Sequence, residues 1–363
     1  MNLFRSNKIQ TQVRKIIWIT VAWTLIALFQ FFGVYTMIIE MGLRSVVTID
    51  PLIPLKGSIL QGLLAGLLGG SGMVFLWEQT LRTKTYGKSL WIILSSFTLI
   101  YFLVALPVQL YYHKTLSGAG LLDTELWQRI RTALRSLSTI RSYLFWLFVV
   151  MATLIVLLVS DKYGPGVFQD FLLGKYFHPK REERIFMFLD LRSSTTIAEQ
   201  LGEERYFSFI KDVFRHATPG IIYAKGQIYQ YVGDEIVISW KTEEGTENAS
   251  CVRCFFEIQR RLRQEAPYYK ATYGVTPEFK AGLHYGHVMT GEVGVVKRDI
   301  AFSGDVLNTT ARIQAKCNEL GVNILLSKPL LDQLALPPNS FAPQKIGDIL
   351  LRGKKQEIML FTV

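Results

Sequence analysis

The sequence has little cysteine, with three residues in a chain of 363. Three cysteines provide neither a disulfide framework nor a complete zinc site. Cys251 and Cys254 form a C-x-x-C pair, but the pair lies within "ASCVRCFFEIQRRL", an amphipathic helical run without a second cysteine pair. We therefore interpret both cysteines as ordinary helix positions.

Charged residues are also scarce, at 19% of the chain, whereas 50% of the residues are hydrophobic. This composition excludes general disorder. The apolar residues concentrate in windows 15–39, 57–79, 89–112 and 142–160, and windows of about 20 residues are long enough to cross a bilayer as helices. Few ionisable residues lie at mid-membrane depth, which gives little support to an ion or proton pathway.

The first window lacks a small-residue cleavage site, and its apolar run is longer than that of a secretory signal, so we expect a retained anchor. The chain carries a net charge of +11. Its basic residues lie before the first window, between the second and third, and after the fourth, as the positive-inside rule requires. The charge therefore predicts a lipid-bilayer partner and no nucleic acid.

This distribution predicts a multi-pass protein of the cell inner (plasma) membrane, with the C-terminal domain in the cytoplasm. The loop at 113–141 departs from the rule because it is basic. Four crossings from a cytoplasmic N-terminus nevertheless place it outside. Within the loop, "LLDTELWQRIRTALRSL" is typical of an amphipathic helix on a membrane surface.

A glycine stripe marks the second window, where Gly62, Gly66 and Gly70 repeat every four residues. Small residues at this spacing let helices approach closely. The stripe is compatible with packing inside one chain and with packing between two chains.

We assign residues 1–161 to a four-helix transmembrane domain, 162–183 to a linker containing Gly-Pro-Gly, and 184–363 to a soluble domain. Periodicity in the soluble domain predicts a strand in "RIFMFLDL" and a helix over 193–218. "QIYQYVGDEIVISW" then predicts two strands around a tight Gly233-Asp234 turn.

A helix at 247–265 follows, with two strands in "EFKAGLHYGHVMTGEVGVV" and a helix in "DVLNTTARIQAKCNEL" that Gly321 closes. A helix near 327–335 and two strands complete the chain. This order predicts an α+β, ferredoxin-like domain, an antiparallel sheet with helices on one face.

Two aspartates stand where predicted strands end. Asp190 closes an apolar strand and precedes "RSST", so backbone N–H groups of Ser193, Ser194 and Thr195 at a helix start favour phosphate oxygens. Asp234 lies at the tip of the hairpin expected beside that strand. Two carboxylates on adjacent strand ends are suited to hold two Mg²⁺.

The soluble domain resembles the class III nucleotidyl cyclases over about residues 184–363. "FLDLRSST", "QYVGDEIVI", "GLHYGHVMTGEVG" and "SGDVLNTTARI" carry the resemblance, in the same order and spacing as in that family. It implies a membrane-anchored enzyme in which a ribose 3'-hydroxyl attacks its own α-phosphate and releases pyrophosphate. It also implies a homodimer with active sites between the two catalytic domains.

The resemblance assigns metal ligation, by Mg²⁺ or Mn²⁺, to Asp190, Asp234 and the Leu191 carbonyl. Asn308 of the second subunit would orient the ribose, and its Arg312 would stabilise charge on the α-phosphate. Four residues apart on a helix, these two side chains share a face.

The triphosphate is assigned to Arg352, with Lys354 or Lys297 as further contacts. A solvated charge run is an equal interpretation of the two lysines. The histidines need no catalytic role, because His284 and His287 lie three apart in a strand and face opposite ways.

The expected base-binding positions depart from the family. Adenylate cyclases usually have lysine and aspartate or threonine there, and guanylate cyclases have glutamate and cysteine, whereas this sequence has Gln230 and Ala301. Glutamine can donate or accept through its amide, and alanine offers no side-chain hydrogen bond. We favour ATP, because Gln230 keeps a donor for adenine N1, with GTP as the alternative.

Two other classes remain open alongside this hypothesis. One is a non-catalytic membrane receptor with a degenerate cyclase domain, which the unusual base pocket allows. The other is a transporter or channel with a regulatory domain.

Overall fold

The computed structural model describes residues 2–42, 50–163, 170, 173–296, 298–334, 336, 341–354 and 356–363. The chain divides into two compact units, Met1–Lys162 and Tyr163–Val363.

The N-terminal unit is helical in its described residues. Its elements are α1 (Asn2–Glu40), α2 (Leu52–Gly72), a π-helical turn (Met73–Trp77), α3 (Glu78–Thr83), α4 (Tyr86–Ser117), α5 (Thr124–Leu134) and α6 (Leu137–Tyr163). Four segments are long and apolar enough to cross a membrane: Gln12–Glu40, Leu52–Trp77, Gly87–Ser117 and Leu137–Ser160. The prediction of four apolar helices is therefore confirmed.

The amphipathic helix expected in the loop is also present as α5. The Asp123 side chain accepts a hydrogen bond from the Glu125 backbone N–H at its start, which satisfies one otherwise unpaired donor of the first turn. Leu126 and Ile130, four residues apart, are buried. That its other face lies on a membrane surface stays a prediction.

The glycine stripe of α2 packs against α1 of the same chain. A Cβ atom at Gly62 would lie 2.5 Å from the Thr24 Cα, and one at Gly66 would lie 2.4 Å from the Thr20 Cα. The two helix backbones therefore approach as closely as glycine permits, and packing within one chain accounts for the stripe.

The C-terminal unit contains a sheet of eight described strands: β1 (Lys180–Leu191), β2 (Gln227–Val232), β3 (Glu235–Lys241), β4 (Phe279–Val293), β5 (Asp299–Ser303), β6 (Ile324–Ser327), β7 (Gln344–Leu350) and β8 (Glu357–Thr362). Their order is β2-β3-β1-β4-β6-β8-β7, and β5 pairs with β4. The β4–β6 pair is parallel, and the other pairs are antiparallel.

Its helices are α7 (Ser194–Leu201), α8 (Glu203–Tyr223), α9 (Thr242–Thr246), α10 (Ser250–Gln264), α11 (Ala266–Tyr273), α12 (Asp305–Glu319) and α13 (Lys328–Leu331). The expected α+β class is confirmed, but the expectation of helices on one face is wrong. Residues 184–189 of β1 are consecutively buried, which requires cover on both faces. Ile185, Met187 and Leu189 share a core with α8 and α10, whereas Phe186 and Phe188 contact Val306 of α12.

Two local expectations in this domain were wrong. The two strands expected in "EFKAGLHYGHVMTGEVGVV" are one strand, β4. A Cβ at Gly282 would lie 2.3 Å from the Gln314 backbone nitrogen, so this glycine lets α12 approach the strand closely. Conversely, the helix expected over 193–218 divides at Gly202, whose φ is 72°.

Boundaries differ at three further places. β1 begins at Lys180 and not at 184, because its first residues pair with the far end of β4. The short strand β6 was not predicted. The helix expected near 327–335 spans Lys328–Leu331, and residues 335 and 337–340 lie outside the described residues.

We predict that Gly66→Ala destabilises the helical unit and that Gly33→Ala does not. Alanine gains about 1 kcal/mol over glycine in helix propensity, and nothing lies within 4 Å of a Cβ at Gly33. At Gly66 the added atom meets backbone, and overpacking costs about 1–3 kcal/mol. Thermal unfolding of the full chain in lipid nanodiscs measures this. Equal effects of the two substitutions would contradict the close packing of α1 and α2.

Candidate active site

The two predicted aspartates lie side by side at one end of the sheet. Asp190 is near the end of β1, where it pairs with Glu235 of β3 and with Lys280 of β4. Asp234 occupies the two-residue turn before β3, since Val232 pairs with Glu235. Gly233 supports this turn with a φ of 62°. The hairpin predicted from the sequence is thus confirmed.

Two polar side chains hold Asp190. The Lys280 ammonium lies 3.0 Å from Asp190 Oδ2, and Gln314 of α12 donates a hydrogen bond of 3.0 Å to the same oxygen. Lys280 is 8% exposed. Neither residue was predicted from the sequence. A lysine at the start of the apolar run of β4 was the available signal for Lys280, because buried lysines are normally paired.

The negative charge of Asp234 is less well compensated than that of Asp190. Its Oδ2 atom is buried and has no hydrogen-bond partner among the described residues. Burial raises the pKa of Asp234 and the charge of Asp190 raises it further, whereas a hydrogen bond from Ser194 opposes the shift. Glu235 adds to the crowding, since burial and the two aspartates raise its pKa to about 7.

This donor set fits a divalent cation. Crowded carboxylates with one orphan oxygen favour a hard cation with oxygen ligands. Within the described part of the chain, no group of three or more His, Cys, Asp or Glu side chains is arranged to hold a metal. Asp190 and Asp234, the two carboxylates predicted as ligands, lie next to each other there. Leu191, whose carbonyl was expected to assist, buries its side chain in the core.

The helix start after Asp190 is present as predicted. α7 begins at Ser194, and Ser193 before it has a φ of 54°. Ser193 and Thr195 are exposed. Arg192 is directed elsewhere, since its guanidinium donates to the Asn323 side chain at 2.8 Å and the Val322 carbonyl at 2.7 Å. The segment therefore anchors through Arg192 and presents its first helical turn beside the aspartates.

The predicted basic residues form a second cluster. We name Arg312, Arg352 and Lys354 the cationic cluster. The Lys354 ammonium pairs with Asp305, and the Arg312 guanidinium lies against Gly353, where a Cβ would be 3.4 Å from it. The hydrogen bond and charge of Lys354 lower the pKa of Asp305, to which Arg312 also contributes. Arg352 is exposed. Lys297 lies outside the described residues.

Helix α12 separates the two groups of residues. Gln314 faces Asp190 of its own chain. Arg312 lies two positions earlier, about 200° around the helix, and therefore faces away from Gln314. Asn308, one turn before Arg312, shares that face and is exposed. A single chain thus brings the carboxylates together and the cations together, but turns Asn308 and Arg312 away from its own aspartates.

The expected base-binding positions lie on β2 and β5. Gln230 is exposed and Ala301 is half-buried. Their neighbours Tyr229 and Phe302 are in ring contact, with centroids 4.8 Å apart, and the Phe302 N–H donates to the Tyr229 hydroxyl at 3.4 Å. This contact holds the two strands together beside Gln230 and Ala301.

A buried arginine that was not predicted from the sequence packs against β5. Arg184 is 2% exposed, and its guanidinium lies 4.6 Å from the Phe302 ring centroid. It donates to Glu182 at 2.9 Å, and Glu182 also accepts from the Tyr176 hydroxyl at 3.0 Å. A buried guanidinium paired in this way orients the aromatic ring above it.

The cysteines and histidines behave as expected. Cys251 and Cys254 are fully buried in α10, and burial raises the pKa of the Cys251 thiol to about 12, so it is unreactive. His284 Nδ1 is 2.7 Å from the Ser327 hydroxyl, whereas His287 approaches Glu183 at 3.5 Å. The two histidines thus contact different groups.

Comparison with known proteins identifies the family. The model of the adenylate and guanylate cyclase catalytic domain matches residues 178–363, just over half of the 363 residues. The chain belongs to the adenylate/guanylate cyclase family, as the sequence motifs indicated.

Curated relatives cover part of the chain. "Adenylate cyclase 2" of Rhizobium meliloti (strain 1021) is 34% identical over 208 residues, which are 57% of this chain and 57% of that protein. "Adenylate cyclase" of Anabaena cylindrica is 28% identical over 184 residues, 49% of this chain and 36% of that protein. The chain therefore spans little more than half of the first relative's length and less of the second's.

A solved structure shares the fold. A bacterial light-regulated adenylyl cyclase superposes with a TM-score of 0.52 at 21% identity, covering 63% of this chain and 66% of that one.

We predict that His284 makes the protein acid-sensitive. Burial, helped by the charge of Lys354 and opposed by that of Asp305, lowers its pKa from 6.5 to about 4. The unfolded chain therefore binds a proton first as the pH falls from 6.5 to 4, and stability is lost across that window. His284→Gln keeps a partner for Ser327 and should make thermal unfolding less pH-dependent between pH 7 and 4. Identical pH profiles for the two proteins would contradict this assignment.

Proposed function

We propose that the chain is a membrane-bound adenylate cyclase that converts ATP to 3',5'-cyclic AMP and pyrophosphate in sites formed between two copies. The opposite faces of α12 carry this proposal. One face holds Asp190 of the same chain through Gln314, while the face with Asn308 and Arg312 is turned away from it. A second copy would bring its Asn308 and Arg312 to the aspartates of the first.

Asp190 and Asp234, with the Leu191 carbonyl, would hold two Mg²⁺ or Mn²⁺. The orphan Oδ2 of Asp234 and the raised pKa of Glu235 support this, because cations would relieve the crowded negative charge. Bound metal would lower the pKa of the ribose 3'-hydroxyl and neutralise the triphosphate. No protein nucleophile is required.

Residues of both copies would position the substrate. The N–H groups of the first turn of α7, with Ser193, Ser194 and Thr195, would donate hydrogen bonds to phosphate oxygens. Arg352 and Lys354 of the second copy, which lie with Arg312 in the cationic cluster, would bind the triphosphate, and Lys354 would exchange its ion pair with Asp305 for a phosphate oxygen.

Two groups from the second copy would complete the reacting centre. The Asn308 amide would orient the ribose. The planar guanidinium of Arg312 matches the geometry of phosphate oxygens and would stabilise the charge that develops on the α-phosphate. Positioning and electrostatics would supply most of the rate.

Adenine is the proposed base. Gln230, exposed on β2, offers an amide donor to adenine N1, while Ala301 leaves the neighbouring position without a hydrogen-bonding side chain. The names of the two curated relatives, both adenylate cyclases, support this choice over GTP. Because a dedicated polar pair is missing, we expect modest discrimination.

The location follows from the helical unit. Four candidate spans support anchoring in the inner membrane, with the catalytic domain on the cytoplasmic side where ATP is present.

Purified full-length protein should convert ATP to cyclic AMP with Mg²⁺ or Mn²⁺. Asp190→Asn and Asp234→Asn should each reduce turnover by about 1,000-fold or more, since metal stabilisation of the transition state contributes several kcal/mol. Asp332→Asn is the matched control, because Asp332 is exposed and pairs with Lys328. Turnover is measured for ATP and GTP separately and in competition.

Cyclic GMP as the main product would contradict the base assignment and keep the mechanism. Absence of any product from a correctly folded dimer would favour the non-catalytic receptor.

A further inference from the structure

The helical unit contains a cavity that the cyclase reaction does not use. Its volume is about 180 Å³, and its lining comes from α1, α2, the π-helical turn, α4 and α6. An engineered cavity of about 150 Å³ in another protein holds benzene. The cavity is therefore the size of one aromatic ring with a short substituent.

One part of the lining is aromatic. It includes Trp23, Trp77 and Trp146. The indole N–H groups of Trp23 and Trp77 are used internally, since they donate to Thr153 at 3.1 Å and to Ser96 at 2.7 Å. Trp146 is 3% exposed, and its Nε1 is buried without a partner among the described residues. The site thus combines ring surfaces with a spare donor.

Another part of the lining is polar. Gln61, Gln109, Ser138, Thr139 and Ser142 contribute to it. Gln61 and Gln109 are half-buried, and an amide side chain both donates and accepts hydrogen bonds. The lining therefore offers hydrogen-bonding groups to a polar substituent of an occupant.

The lining also sets the charge of the occupant. All of its residues lie in described segments, and none is Asp, Glu, Lys, Arg or His. A buried ion would have no counter-charge there, and the cost of desolvation would exclude it. The occupant must be neutral.

Position in the bundle indicates the route of entry. Gln109 lies near the end of α4 and Ser138 near the start of α6, the two helix ends that the segment containing α5 connects. The polar part of the cavity therefore lies toward that segment, which the topology predicted from the sequence places outside the cell.

We infer that the helical unit binds a neutral small molecule, consisting of one ring with a hydroxyl or carbonyl substituent, in the cavity between α1, α2, α4 and α6. This inference does not depend on the proposed cyclase activity. It would make the helices a ligand-binding domain as well as an anchor.

The test uses full-length protein in nanodiscs and three probes that differ in one group: 4-ethylphenol, ethylbenzene and 4-ethylbenzoate. Saturation-transfer NMR measures binding, and thermal unfolding measures stabilisation. We expect saturable binding of 4-ethylphenol that raises the unfolding temperature, weaker binding of ethylbenzene, and no binding of 4-ethylbenzoate.

Two alanine-to-phenylalanine substitutions locate the binding. Ala105 lines the cavity, so Ala105→Phe should fill it and weaken 4-ethylphenol binding by at least about tenfold, as expected when a ring-sized site is lost. Ala22 is exposed on α1, so Ala22→Phe should leave binding unchanged. If Ala105→Phe does not fold, Gln109→Leu replaces it and should remove the preference for 4-ethylphenol over ethylbenzene.

Three results would overturn the inference. The first is non-saturable uptake that is equal in all variants, which indicates partition into lipid. The second is binding of the charged probe that equals binding of 4-ethylphenol. The third is that no probe binds saturably, which indicates a cavity that holds only water.

Discussion

The crowding of carboxylates at the end of β1 is the constraint on which this protein depends. Asp190, Asp234 and Glu235 lie together. Among the described residues, the Lys280 ammonium is the one that pairs with them, through Asp190. One positive charge cannot neutralise three carboxylates, so protons or cations must supply the remainder. Burial, together with the charges of the two aspartates, raises the pKa of Glu235 to about 7. Burial of β1 on both faces keeps the carboxylates in place.

Helix α12 connects the crowded carboxylates to the proposed pairing of two chains. Its Gln314 is committed to Asp190, and the same helix presents Asn308 and Arg312 in another direction. Arg312, on the face that is turned away, cannot act on the carboxylates of its own chain. In the proposed dimer, each chain would supply carboxylates to one site and an arginine to the other.

The sequence predicted what depends on local pattern. Asp190 at a strand end, the Gly233-Asp234 turn and the helix carrying Asn308 and Arg312 follow from apolar runs and turn residues. Contacts between residues far apart in the sequence could not be predicted from local pattern. Lys280 and Gln314 meet Asp190 from positions about 90 and 124 residues away, and the close approach of Gly282 to α12 is likewise a tertiary contact. Arg184 is the first residue of the predicted strand, and its burial depends on tertiary contacts that the local pattern does not reveal.

Mixing two inactive variants tests the shared site most directly. Asp190→Asn and Arg312→Ala should each lack activity alone. Co-expressed in one membrane, they should form heterodimers in about half of the pairs, each with one intact site of two, and so recover about a quarter of wild-type cyclic AMP formation. Heterodimers that are shown by differential tagging to form, yet stay inactive, would contradict a site built from two chains.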